Sequence, residues 1–292
     1  MAARTTILKL GGELIERPDD RQRLARQIVR LAADGPLVVV HGGGRTIDAE
    51  LAIRGIPRRT VDGLRVTDGP TLDVVVSVLA GLLNTQLVAA VSAAGGRGVG
   101  LTGADALIGL VRPAPPHQAA TGGTVDLGLV GAPLDAGAPE LLLDLVARGY
   151  VPIVASLGAS ADGELYNVNA DTWAAHLAAA LGADRLMVAG GTPGVLDAQG
   201  ATIDLLDRDD IERLVRSGEA SAGMVAKLDA CRRAATAGVA DVRIVDGRGP
   251  GPITESRGTR IVAAHGRPNP EQTTDDAPAG PRWHERLSGH PR

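Results

Sequence analysis

Only two of the chain's 30 basic residues are lysine, Lys9 and Lys227; the other 28 are arginine. A lysine kept in so arginine-rich a chain is either an accident of composition or a place where a compact charge on a thin stem works and a broad planar fork does not, and its surroundings decide. Both lysines stand beside glycines, in Lys9-Leu10-Gly11-Gly12 and Gly223-Met224-Val225-Ala226-Lys227, and a third glycine run follows in His41-Gly42-Gly43-Gly44. Glycine loops that open into helices turn backbone N–H groups toward anions. Asn167-Val168-Asn169-Ala170-Asp171 adds two of the chain's four asparagines and a carboxylate at a strand-to-helix junction. Two ammonium groups, a carboxylate between them and backbone donors, with no nucleophile and no metal-ligand set, suit phosphoryl transfer. That chemistry is mostly positioning and stabilisation of spread negative charge. An acceptor that is already an anion, such as a carboxylate, needs no general base.

Plainer readings stand beside this one. A Gly-Gly pair is often only a tight turn, and Asn169 and Asp171 are good helix caps. Capping and ligand binding are compatible, however, and Lys9 is a poor surface charge because it interrupts an apolar strand. Other chemistries lack their motifs: there is no GxxxxGK[ST], GxSxG or HExxH in the chain, and neither Gly11-Gly12 nor Gly42–Gly44 is part of a GxGxxG fingerprint.

These residues need a scaffold that gathers strand ends. Residues 5–10 read as a buried strand entering Gly11-Gly12, 19–33 as an amphipathic helix, 37–41 as a second strand, and 46–53 as a helix after Gly42–Gly44. This alternation predicts an α/β protein with a mainly parallel sheet covered by helices. Residues 57–68 read as a hairpin turning at Asp62-Gly63. Further strands are expected at 99–102, 151–155, 185–189, 242–245 and 259–263, with helices at 139–148, 171–181, 209–217 and 224–237. The alternation restarts after a boundary near 181–183, which gives an N-lobe over 1–182 and a C-lobe over 183–266. Residues 267–292 hold five prolines and little apolar content, the composition of a disordered tail.

A net charge of −4 gives no general attraction to nucleic acid or acidic membranes. The single cysteine, Cys231, excludes an internal disulfide and fits a reducing cytoplasm. Residues 74–91 are uncharged over 18 positions, near the lower limit for a membrane span. Asn84-Thr85-Gln86 within them favours a helix buried between the sheet and a partner subunit instead.

The ordered series Lys9–Gly12, His41–Gly44, Gly63-Leu64-Arg65-Val66-Thr67-Asp68, Asn167–Asp171 and Gly223–Lys227 resembles the motifs of the N-acetylglutamate kinases, in the amino-acid-kinase superfamily, over roughly residues 5–262. The resemblance implies a three-layer αβα sandwich whose N-lobe binds N-acetyl-L-glutamate and whose C-lobe binds ATP, with Mg²⁺ carried on the nucleotide and no protein metal cage. Lys9 and Lys227 would stabilise the transferring phosphoryl group and Asp171 would hold both. Gly43, Gly44, Arg65, Asn167 and Asn169 would contact the acceptor. Gly11, Gly12, Gly190, Gly191, Pro193, Gly194 and Met224 would contact the nucleotide. Gly190-Gly191 stands where the family usually has Thr-Asp or Ser-Asp, so the loop would offer N–H groups in place of a side chain. Other acylated amino acids (N-succinylglutamate, a carrier-linked aminoadipate) and an inactive ligand-sensing relative are the alternatives. Arginine-inhibited members carry an extra N-terminal helix, whereas only Met1–Arg4 precede the first strand here. The expectation is a cytoplasmic, arginine-insensitive homodimer joined through helix 71–94.

Overall fold

The computed structural model describes residues 4–263 apart from 136, 138 and 250, so the expected tail at 267–292 lies outside the described residues. Eight strands form one sheet: β1 (Thr6–Leu10), β2 (Leu37–His41), β3 (Gly98–Thr102), β4 (Val151–Ala155), β5 (Arg185–Gly190), β6 (Leu205–Leu206), β7 (Asp241–Asp246) and β8 (Gly258–Ile261). Their spatial order is β6-β8-β7-β5-β1-β2-β4-β3. Neighbours pair in parallel except β7 with β8, which is antiparallel. β1 is central, flanked by β5 and β2 in register, so that Lys9 lies beside Val188 and Val40. Strands buried on both faces read as unbroken apolar runs, as TILKL and LVVVH do.

Helices cover both faces. On one side lie α1 (Pro18–Asp34), α2 (Gly44–Ile53) and α3 (Gly69–Ala93). On the other lie α4 (Glu140–Ala147), α5 (Ala170–Ala180), α6 (Arg208–Ser217) and α7 (Ala222–Thr236). Successive strand side chains point to opposite faces. Leu8, Leu10 and Val39 therefore join the α1–α3 core, while Ile7, Val38 and Val40 join the α4–α7 core around the fully buried Trp173. This is the three-layer sandwich with a mainly parallel sheet that the sequence predicts.

The long apolar helix α3 has the composition of a membrane span but packs on α1 and on strands β3 and β4. Buried Asn84 donates from Nδ2 to the Leu101 and Ile153 carbonyls, both at 3.0 Å, tying the helix to the sheet. The middle of α3, Ser77–Leu83, is wound as a π-helix. The hairpin expected over 57–68 is present as two-residue strands, Thr60–Val61 and Leu64–Arg65, with Asp62 and Gly63 at positive φ in its turn.

Candidate active site

Lys9 shares its face of β1 with Ile7, so its stem runs under α5. Asn169 caps α5: its Oδ1 accepts from the N–H groups of Asp171 and Thr172, both at 3.0 Å. The cap fixes the first helical turn and aims Asp171 at the strand ends. Lys9 Nζ lies 2.8 Å from Asp171 Oδ1, and Lys227 Nζ lies 3.5 Å from Asp171 Oδ2. Lys227 stands one turn inside α7, which begins at Ala222 rather than at the expected 224. The side chains of Lys9 and Asp171 are 5% and 7% exposed, against 22% for Lys227. Burial alone would raise the Asp171 pKa. The two ammonium charges and their hydrogen bonds outweigh it and hold the group below the usual carboxylate range. The cluster thus carries one net positive charge at the edge of the protein interior.

Lys9 and Asp171 open onto a cavity of about 300 Å³, walled by the two glycine loops and by Arg65, Asn167 and Asn169. That volume suits a small metabolite. The loops touch: a Cβ on Gly12 would stand 2.7 Å from Gly43 Cα, and one on Gly43 would stand 2.9 Å from Leu79 Cδ2. Glycine at 12 lets the two backbones meet, and glycine at 43 leaves room for Leu79 and Leu83 of α3. Arg65 Nη2 pairs with Asp48 Oδ1 at 2.5 Å and donates to Gly44 O at 3.3 Å, while Nη1 is buried and has no partner among the described residues. A held guanidinium with one donor left over is prepared for an anion in the cavity. Asn167 donates from Nδ2 to Thr67 Oγ1 at 3.1 Å. The amide oxygen of Asn169 is engaged in capping, so the plain and functional readings of that residue hold together.

The remaining expected site residues lie outside that cavity. Gly190 ends β5 beside Lys227: a Cβ there would stand 3.8 Å from Lys227 Cε. Gly191 does not present its N–H outward, because that group donates to Glu13 Oε1 at 3.0 Å. Pro193 and Gly194 turn the chain toward β8, where Thr259 Oγ1 accepts from Val195 N–H at 2.8 Å. Met224 packs partly buried against the α4–α7 core. Three supporting residues escaped the sequence reading. Asp48 and Glu13 look like ordinary charges of an exposed helix and loop, and no local pattern links either to its partner. The sequence singles out His41 only as part of its glycine motif, although a histidine ending an apolar strand is a signal in itself. Its ring is wholly buried, with Nδ1 3.2 Å from Gly42 O, and burial lowers its pKa to about 4. The neutral imidazole with Nδ1 protonated can therefore donate to the loop carbonyl.

A parallel αβα sheet with paired ammonium groups at its strand ends is the architecture of a phosphoryl-transfer enzyme. The model of the amino acid kinase family matches residues 4–246. The chain is 43% identical over 240 residues to the acetylglutamate kinase of Koribacter versatilis, covering 82% of this chain and 89% of that one. It is 41% identical to the acetylglutamate kinase of Novosphingobium aromaticivorans, covering 85% of each. Among solved structures, smu.665 from Streptococcus mutans superposes with a TM-score of 0.74 at 25% identity, over 89% of this chain and 99% of that one. The chain belongs to the amino acid kinase family and, within it, to the acetylglutamate kinases.

Two predictions follow from this geometry. Lys9→Arg and Lys227→Arg each lower kcat by about 10²-fold or more, since a displaced charge loses transition-state stabilisation; steady-state turnover checks it, and near-normal rates in both variants contradict it. His41 sets a pH dependence. Its folded pKa of about 4 lies below an unfolded value of about 6.5, so its contribution is complete above pH 6.5 and is lost as pH falls toward 4. The loss is on the order of 3 kcal/mol. Urea midpoints from pH 7 to 4 should fall for the wild type and fall less for His41→Gln.

Proposed function

We propose that the chain transfers the γ-phosphoryl group of ATP to the γ-carboxylate of N-acetyl-L-glutamate, a step of arginine biosynthesis. The observation that carries this reading is the pair of ammonium groups fixed by one buried carboxylate at the base of a metabolite-sized cavity. A carboxylate oxygen of the acceptor attacks the γ-phosphorus. The bond to the bridging oxygen breaks, and its electron pair leaves with ADP. No proton moves, which agrees with a site built of charges and amides. Lys9 and Lys227 draw off the charge that gathers on the equatorial oxygens in the transition state. Asp171 does not react; it keeps two like charges close enough to act on one phosphoryl group.

The acceptor half of the site falls to residues 1–182: Gly43 and Gly44 receive the reacting carboxylate, Arg65 the α-carboxylate, and Asn167 and Asn169 the acetamido end. The nucleotide half falls to residues 183–266, with Gly11 and Gly12 at the junction. The donors at the reaction centre are ammonium groups and amides, which suit an anion, so Mg²⁺ would arrive on the phosphate oxygens of ATP. A cytoplasmic location fits a biosynthetic kinase whose one cysteine, Cys231, is a buried free thiol.

A homodimer through α3 accords with the surface of that helix. Less than half of its most apolar window is buried, and Leu82 is 47% exposed. Edge strand β3 runs beside it, with Gly100 exposed. Light scattering should read about twice the 29.8 kDa chain mass, and a monomer at micromolar concentration contradicts the dimer.

The direct test of function offers acetylglutamate, succinylglutamate, aspartate and UMP side by side with ATP and reads ADP release. Acetylglutamate should give the highest kcat/KM. Preference for succinylglutamate reassigns the acceptor, and no turnover with any of the four favours the ligand-sensing alternative.

A further inference from the structure

Gly191 is the residue of the Gly190–Gly194 loop nearest to the reaction centre whose side-chain space is already taken, and what takes it is a guanidinium. A Cβ on Gly191 would stand 2.7 Å from Arg248 Cζ and 3.0 Å from Arg248 Nε. The guanidinium therefore lies against the glycine, and a side chain at 191 would push the flexible tip of Arg248 aside. Two backbone contacts hold the main chain of this turn. Gly247 N–H donates to Gly190 O at 2.8 Å, and Arg248 N–H donates to Asp246 Oδ1 at 2.8 Å, so the turn after β7 is fastened to the end of β5. On its other side the Gly191 N–H is occupied by Glu13. This loop thus offers an incoming anion no free amide at 191; it offers Arg248. Among the described residues that guanidinium forms no ion pair, and Arg248 is exposed. A guanidinium on an anchored backbone turn, with its own donors unpaired, is a good partner for a phosphate.

The charged groups also fall in a line. Asp171 holds Lys227, Lys227 lies beside Gly190, and Arg248 lies over the next residue. Resting on the kinase reading above, we propose that Arg248 is a nucleotide-binding residue of this chain. It contacts the phosphates that remain with the departing nucleotide, through the space left open by Gly191. Arg248 thus supplies a charge at the loop, while Lys9 and Lys227 serve the phosphoryl group in transfer.

Binding of MgADP and MgATP, measured by calorimetry without acceptor, separates this idea from the kinase reading itself. Arg248→Ala should weaken both nucleotides by a similar factor, about 10-fold or more, and raise the KM for ATP while the KM for acetylglutamate stays within twofold. Arg248→Lys should lose less than Arg248→Ala. Gly191→Ala should weaken the nucleotide by displacing the guanidinium, yet add nothing in an Arg248→Ala background, because both changes remove the same contact. Unchanged nucleotide affinity in Arg248→Ala, or additive losses in the double variant, overturns the role of Arg248 and leaves the kinase reading intact. Failure of the wild type to bind either nucleotide overturns both.

Discussion

The contact on which the rest of the site depends is the buried ion cluster of Lys9, Asp171 and Lys227. A carboxylate removed from water is tolerated only when charges or hydrogen bonds replace its hydration, and breaking a buried pair by deleting one member costs about 3–5 kcal/mol. Here three separate elements must arrive together for the charges to meet. β1 brings Lys9 from the centre of the sheet, the capped start of α5 brings Asp171, and α7 brings Lys227 from beyond β5. The cluster therefore ties the two halves of the chain at the base of the cavity.

Around it, empty space is as carefully arranged as charge. The close approach of Gly12 and Gly43 brings two glycine loops into contact above the sheet, and this leaves room for a small acceptor between the loops and Arg65. At the other side of the reaction centre, the missing side chain of Gly191 leaves room for a guanidinium. Both gaps follow from the same property of glycine, and they lie on opposite sides of the ion cluster.

A ring of residues that need not touch substrate holds these groups still. Asp48 engages one arm of Arg65 and leaves the other buried, with no partner among the described residues. The neutral imidazole of His41 meets the Gly42 carbonyl at the root of the second loop. Glu13 takes the Gly191 amide and bridges the two halves of the chain. A transition state that spreads negative charge gains most from dipoles and cations that do not reorganise, and rigid support of this kind is what keeps them fixed.

The sequence by itself determined the layers, the central strands and the residues of the buried ion cluster. Apolar β-branched runs such as LVVVH, bounded by glycines, read as strands buried on both faces, and the two lysines stand out in a chain otherwise given to arginine. Asn169 and Asp171 were legible for a similar reason, since capping is local and its signature lies within three residues. Asp48, Glu13 and Arg248 were not legible. Each acts on a partner 17, 178 or 57 positions away, and nothing in the local chain distinguishes it from a solvated surface charge. Periodicity and motifs record what neighbouring residues do to one another. Which distant side chain fills the space beside Gly191, or holds one arm of Arg65, is decided only when the sheet order brings those strand ends together.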